Sequence, residues 1–347
     1  MEGVRTWRSF AIFAAIMAVC AVLPYAPIPE FYIQQAFPIF FFAGLAQSWN
    51  ILGGYTGYLS LGHSSFVGIG GYTIGCLFFA FQWSPFVTFP LAAVTAAILA
   101  LIIGVICFRI RGSYFLIATM LVLFIMQTLA NNVPSITNGA DGIDFPLFTS
   151  SFSQENRIWF YVGLALVVLI TLVAFCIERS RLGLNLMAIR EDEDVARMMG
   201  VKVVHCKAAA FTISAALAGL LGAAYSFRAH VIEPTTAFSV EMSAAPIMMA
   251  ILGGSRNWVG PLLGAVVYDV VSNMLALSIG NAFSDMAFAV FLICVVLLLP
   301  DGITGTFSRF FSKNNSAEPP SGTPAAMGPA KTLQTVDSDA CQLACGR

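Results

Sequence analysis

Residues 178–207, ERSRLGLNLMAIREDEDVARMMGVKVVHCK, form one hydrophilic island in a chain that is otherwise almost entirely apolar. These 30 residues hold 11 of the chain's 35 Asp, Glu, Lys and Arg residues, and apolar runs border them on both sides. Gly183 and Gly200 bracket a segment of moderate helical character. Within it Leu184, Met187, Ala188, Val195, Met198 and Met199 recur at intervals of three, four or seven and so share roughly one face. On the other faces Arg190 is placed to reach Asp194, and Glu193 to reach Arg197, at i,i+4. The run from Glu191 to Asp194 interrupts the apolar stripe, so one helix and two short helices with a break there both fit the pattern. A charge run taken alone reads as a solvated loop helix. Its surroundings give this one another meaning.

Hydrophobic residues make up 58% of the chain and charged residues 10%, with a mean hydropathy of +0.83. Ordinary soluble domains carry about 25% charged residues, so the composition is that of a polytopic membrane protein. Crossing a hydrocarbon core of about 30 Å takes roughly 20 helical residues. Apolar runs of that order lie at 10–23, 31–52, 57–81, 86–108, 113–130, 158–177, 208–227, 259–279 and 283–299, with a shorter one at 243–252. The expected fold is therefore all-α and polytopic, with about ten transmembrane or re-entrant helices. The third and eighth runs in chain order, 57–81 and 243–252, are the doubtful ones. The basic start and short apolar run at the N-terminus resemble a signal peptide, but no good small-x-small cleavage site precedes Pro24, and a retained first span is expected.

Orientation follows from the basic residues. With the N-terminus inside and ten spans threaded, Arg5, Arg8, Arg109, Arg111, the six basic residues of the island, Arg256, Arg309, Lys313, Lys331 and Arg347 fall on the inner side, 15 of 17, leaving Arg157 and Arg228 outside. Dropping one doubtful span alone would invert every later loop. The island and both termini are expected to be cytoplasmic, in a membrane domain at 1–311. The 312–347 tail, rich in Pro, Ser, Gly, Ala and Thr, cannot bury enough apolar surface to order itself and is expected to be disordered. The tetrapeptide Ile51-Leu52-Gly53-Gly54 recurs as Ile251-Leu252-Gly253-Gly254, which marks either two related halves or a coincidence of common residues.

Two stretches carry polar groups at membrane depth. Residues 53–75, GGYTGYLSLGHSSFVGIGGYTIG, permit close backbone approach or a broken segment, tolerable in lipid only where protein buries it or water lines it. Asn50, Tyr55, Ser60, His63 and Ser64 are the candidates there for the wall of a solute path, against a reading of tight packing alone. Asp269, within 259–279, is costly unless paired or facing water, and Asn273 one turn on is placed to bond it. The eight cysteines form no CxxC or metal-ligand spacing, so neither a metal nor a disulfide framework is expected. None of the four lysines follows a glycine, so the chain lacks a P-loop. No catalytic constellation stands in a soluble pocket; enzyme chemistry, a cofactor and a nucleic-acid partner are not expected.

Residues 50–72, NILGGYTGYLSLGHSSFVGIGGY, resemble the opening signature of LivM-type permeases of branched-chain amino acid ABC importers. Arg111-Gly112-Ser113-Tyr114-Phe115, the island segment SRLGLNLMAIREDEDVARMMGVKV (180–203) and AILGGSRNWVGPLLGA (250–265) are similar to later motifs of that family, in order. The resemblance covers roughly 36–305. It implies an inner-membrane, multi-pass subunit that works with a second permease of the same family, two cytoplasmic ATP-binding subunits and a periplasmic solute-binding protein, in contact with membrane lipid. It also implies that the island is the coupling element, docking through Met187, Arg190, Glu191, Asp192, Glu193, Val195, Arg197 and Met198. Branched-chain amino acids are the first solute implied. Relatives resembling urea, short-amide and aromatic-acid permeases, and an ion-gradient-driven transporter using Asp269 or His63, are the alternatives. The dense EDED run and the long tail depart from the family pattern.

Overall fold

The structure is a computed structural model. It describes residues 2–25, 29–82, 84–108, 110, 112–146 and 152–279, with short pieces between 286 and 306. The chain divides into Met1–Ser308 and Arg309–Arg347. The second unit, and with it the 312–347 tail, lies outside the described residues, as do Arg109, Arg111 and much of the span expected at 283–299.

Helices α1 (Glu2–Val22), α2 (Glu30–Thr56), α3 (His63–Phe81), α4 (Pro85–Cys107) and α5 (Ser113–Asn132) lead to a short α6 (Pro134–Thr137) and strand β1 (Ile143–Asp144). Next come α7 (Phe152–Arg179), the paired short helices α8 (Arg181–Glu191) and α9 (Glu193–Met198), and α10 (Val203–Ala229). Strand β2 (Val231–Ile232), α11 (Pro234–Ala237), α12 (Val240–Gly253) and α13 (Val259–Ile279) follow. The two strands pair antiparallel, Ile143 opposite Ile232 and Asp144 opposite Val231.

Among the described residues, seven helical segments are long and apolar enough to cross a membrane: Glu30–Thr56, His63–Phe81, Phe86–Cys107, Tyr114–Asn132, Phe152–Arg179, Val203–Ala229 and Pro234–Gly253. Two more apolar stretches, Phe10–Tyr25 and Val259–Leu275, lie in α1 with the residues up to Tyr25 and in α13. The chain is thus a multi-pass, overwhelmingly helical membrane protein, of the all-α class expected. Both runs doubted on sequence, the third and the eighth, are among these seven segments. The third and eighth runs reach the dimensions of a span, the eighth because α11 extends it. A third span starting at 57 needs correction. Gly57 adopts φ +75°, closes α2 through its N–H to the Gly53 carbonyl (3.0 Å) and begins a non-helical link that runs to Gly62.

Helix α2 is the axis of the bundle: every residue from Ala43 to Thr56 is buried, so its whole circumference is covered by protein there. Helices α7, α10, α12 and α13 pack on it, and α10 packs in turn on α3 and α4. Small residues bring these helices close. A Cβ on Gly70 would lie 1.9 Å from the Gly219 carbonyl oxygen, and one on Gly222 would lie 2.0 Å from that of Val67, so α3 and α10 touch backbone to backbone. Ala92, Ala96 and Ala100, one turn apart and fully buried, keep one side of α4 equally thin. The outer faces of α4 and α5 stay apolar, with Ile98, Leu101, Val105, Ile117, Leu121 and Ile125 exposed, which suits lipid rather than water.

Candidate functional site

The island folds as a two-helix hook because of two caps. The Ser180 side chain accepts the Gly183 N–H (3.2 Å) and starts α8. Asp192 sits in extended backbone, and its Oδ1 accepts the N–H groups of Asp194 (2.9 Å) and Val195 (3.0 Å), ending one helix and opening the next. The EDED run is therefore a helix start, with Glu193 and Asp194 in the first turn of α9, where the helix dipole favours acids. This break corrects the i,i+4 relation expected between Arg190 and Asp194, since the two stand on different helices. Arg190 instead donates to the Gly54 carbonyl near the end of α2. Burial, with Arg256 alongside, draws its guanidinium below the ordinary arginine value.

The apolar stripe divides in two. Met187 is half-buried and packs on the core, while Leu184 (64% exposed), Val195 (51%), Met198 (79%) and Met199 (83%) face outward. Glu191, Asp192 and Arg197 are exposed near them. Glu193 is tied inward. One of its oxygens accepts from Arg197 (3.0 Å, the pairing its spacing suggests), and the other accepts from Lys207 Nζ (2.6 Å) and the Tyr58 hydroxyl (2.5 Å). Lys207 is 3% exposed, and its ammonium lies 3.7 Å from the centre of the Tyr58 ring.

A second tie joins the same end of the bundle. Glu178 Oε2 accepts from the Tyr55 hydroxyl (3.1 Å) and from the Trp258 N–H (2.9 Å), linking the ends of α2 and α7 to the approach to α13. Beside it Asn50 donates to the Asn257 carbonyl (3.4 Å). The two ILGG tetrapeptides thus close α2 and α12 next to each other, at the end of the bundle where the island sits.

Deeper in, fully buried polar side chains form a seam between α2, α3, α10 and α12. The Ser214 hydroxyl donates to the Ser48 carbonyl (2.6 Å), so in its contact with His63 (2.7 Å) the imidazole Nε2–H donates to the serine oxygen. The Ser64 N–H donates to Ser243 Oγ (2.9 Å), which donates to Ser64 Oγ (2.8 Å). Ser60 supplies its carbonyl to Trp49 Nε1 (3.0 Å) and its hydroxyl oxygen to the Gly62 N–H (3.3 Å). Gln47 lies fully buried on α2, with neither end of its amide hydrogen-bonded among the described residues. His63 and Ser64 are accordingly brought into the seam, with Ser60 in the link that leads to them, while Asn50 stands on Asn257. Tyr55 stands apart on Glu178, and Asp269 stands apart on α13, half-buried and bonded to Asn273 (2.9 Å) as its spacing suggests.

Lys207, Glu178, Gln47, Ser214 and Ser243 were not singled out by the sequence. Lys207 had a readable signal, an ionisable residue where an apolar run begins. The serines had none, since a serine in a helix of small residues looks the same whether or not it bonds a histidine. At the opposite end of the bundle Glu155, buried, meets His230 (3.2 Å), and Arg228 donates to Asn156 (3.0 Å) beside the β1–β2 pair.

Residues 31–299 match the family described as branched-chain amino acid transport system / permease component. The chain belongs to that family. Two relatives named high-affinity branched-chain amino acid transport system permease protein LivM, from Salmonella typhimurium and Escherichia coli, are 31% and 30% identical over 280 residues, covering 73% of this chain and 65% of each relative. A permease named LivH from Salmonella typhimurium is 27% identical over 194 residues, 52% of this chain and 61% of the relative. The chain thus spans just under two thirds of the length of these relatives. No solved structure matches it.

Proposed function

We propose that the chain is a transmembrane subunit of an ATP-driven importer for branched-chain amino acids in a bacterial inner membrane. About ten crossing or re-entrant helices thread the bilayer in this reading, with both termini and the island on the cytoplasmic side. The observation that carries it is the hook. A membrane subunit without a P-loop presents Leu184, Val195, Met198 and Met199 to solvent on short, capped helices at one end of the bundle. Exposed apolar anchors ringed by charges suit a protein groove better than water. The groove belongs to an ATP-binding subunit, with Glu191, Asp192 and Arg197 at its rim setting register. Similarity to permeases named LivM and LivH supports a second permease beside this one, and the solute arrives on a periplasmic binding protein.

The purified complex in proteoliposomes is expected to take up labelled leucine, isoleucine or valine only with ATP and binding protein present, and collapse of ion gradients should leave uptake intact. Uptake of urea, short amides or aromatic acids in their place reassigns the solute. Uptake lost on collapsing the gradient with ATP supplied overturns the ATP-driven reading.

A further inference from the structure

Glu193 is tied into the bundle through inward partners on two separate elements. Lys207 is in the second turn of α10, and Tyr58 is in the link that leads into α3. Lys207 and Ser214 are seven residues apart, which puts them on one face of α10, about 10 Å apart along its axis. Ser214 in turn bonds α2 through the Ser48 carbonyl and α3 through His63. One rigid helix therefore grips the hook at one point and the buried polar seam two turns later.

The two kinds of contact on Glu193 differ in strength. Its pair with the exposed Arg197 is of the kind that forms and breaks at little cost. Its pair with Lys207 is not, because pulling the carboxylate away separates it from an ammonium that is almost fully buried. When α9 is displaced, the start of α10 has to follow.

We infer that Glu193, Lys207 and Tyr58 form the linkage that carries movement of the docking hook into α3 and α10 and so to the His63–Ser214 seam. They act as positioning residues within this chain, and Glu193 is not a contact to the ATP-binding subunit. The inference rests on the importer reading above. In the reconstituted complex, Glu193→Gln and Lys207→Met should each retain the ATP-binding subunit on purification but lower the uptake obtained per ATP hydrolysed by about tenfold or more. The exchange Glu193→Lys with Lys207→Glu should recover part of that loss. Tyr58→Phe, which removes a single hydroxyl, serves if the charge variants do not fold into the membrane as subunits, and should lower the same ratio to a smaller degree. Loss of the ATP-binding subunit from Glu193→Gln would return that residue to the docking surface and overturn the linkage. Normal uptake per ATP in all three single variants would reduce the cluster to packing. Absence of ATP-dependent uptake in the unsubstituted complex would remove the importer reading and the linkage with it.

Discussion

At the scale of single residues, a few atoms decide the local shape. Asp192 is the clearest case, since one carboxylate oxygen satisfies two N–H groups that the first turn of α9 would otherwise leave open. Asp192→Ala should cost α9 about 0.5–2 kcal/mol, read as faster amide hydrogen exchange over 193–199, while Asp192→Asn should retain most of the protection. The acids around it looked like excess charge in the sequence because a cap is recognised by where the helix starts, and the pattern allowed one helix or two. Gly222 works through absence of a side chain. A methyl group there meets the Val67 carbonyl oxygen, which belongs to backbone and cannot rotate away. Gly222→Ala should therefore destabilise the subunit by about 1–3 kcal/mol, measured as a lower unfolding temperature in detergent.

At the scale of elements, α8 and α9 show how one apolar pattern divides between core and surface. Met187 packs on the core, whereas Val195 and Met198 face outward on the second helix, so the periodicity did not separate what the bundle buries from what it leaves exposed. Val195→Asp and Met198→Asp should leave thermal stability of the isolated subunit within about 0.5 kcal/mol, as surface changes do, and should abolish co-purification of the ATP-binding subunit. Retention of that subunit at normal yield would sink the docking assignment. Helices α4 and α5 were legible throughout, because a helix facing lipid needs only length and hydropathy to be recognised. The 57–62 link was not, since its glycines suit a packed helix and a turn alike until Gly57 is seen at positive φ.

Across the whole molecule, the ends of α2, α7 and α12 and the starts of α10 and α13 gather around the island, held by Glu178, Arg190 and Glu193. Glu178→Ala should leave the Tyr55 hydroxyl and the Trp258 N–H without their acceptor, at about 1–3 kcal/mol for each buried group, visible as a lower unfolding temperature that Glu178→Gln largely restores. That this chain is a multi-pass helical membrane protein with one polar island was legible from residue order alone, because burial in lipid imposes length and apolarity on every crossing segment regardless of its neighbours. Its ordered motifs also pointed to the family that residues 31–299 match. Which polar residues meet emerges only from the packed fold. Ser214 with His63, Lys207 with Glu193 and Trp258 with Glu178 are separated by 151, 14 and 80 positions. Hydrogen bonds and ion pairs act over a few ångströms of space, and no periodicity along the chain records which helices will bring such groups within that reach.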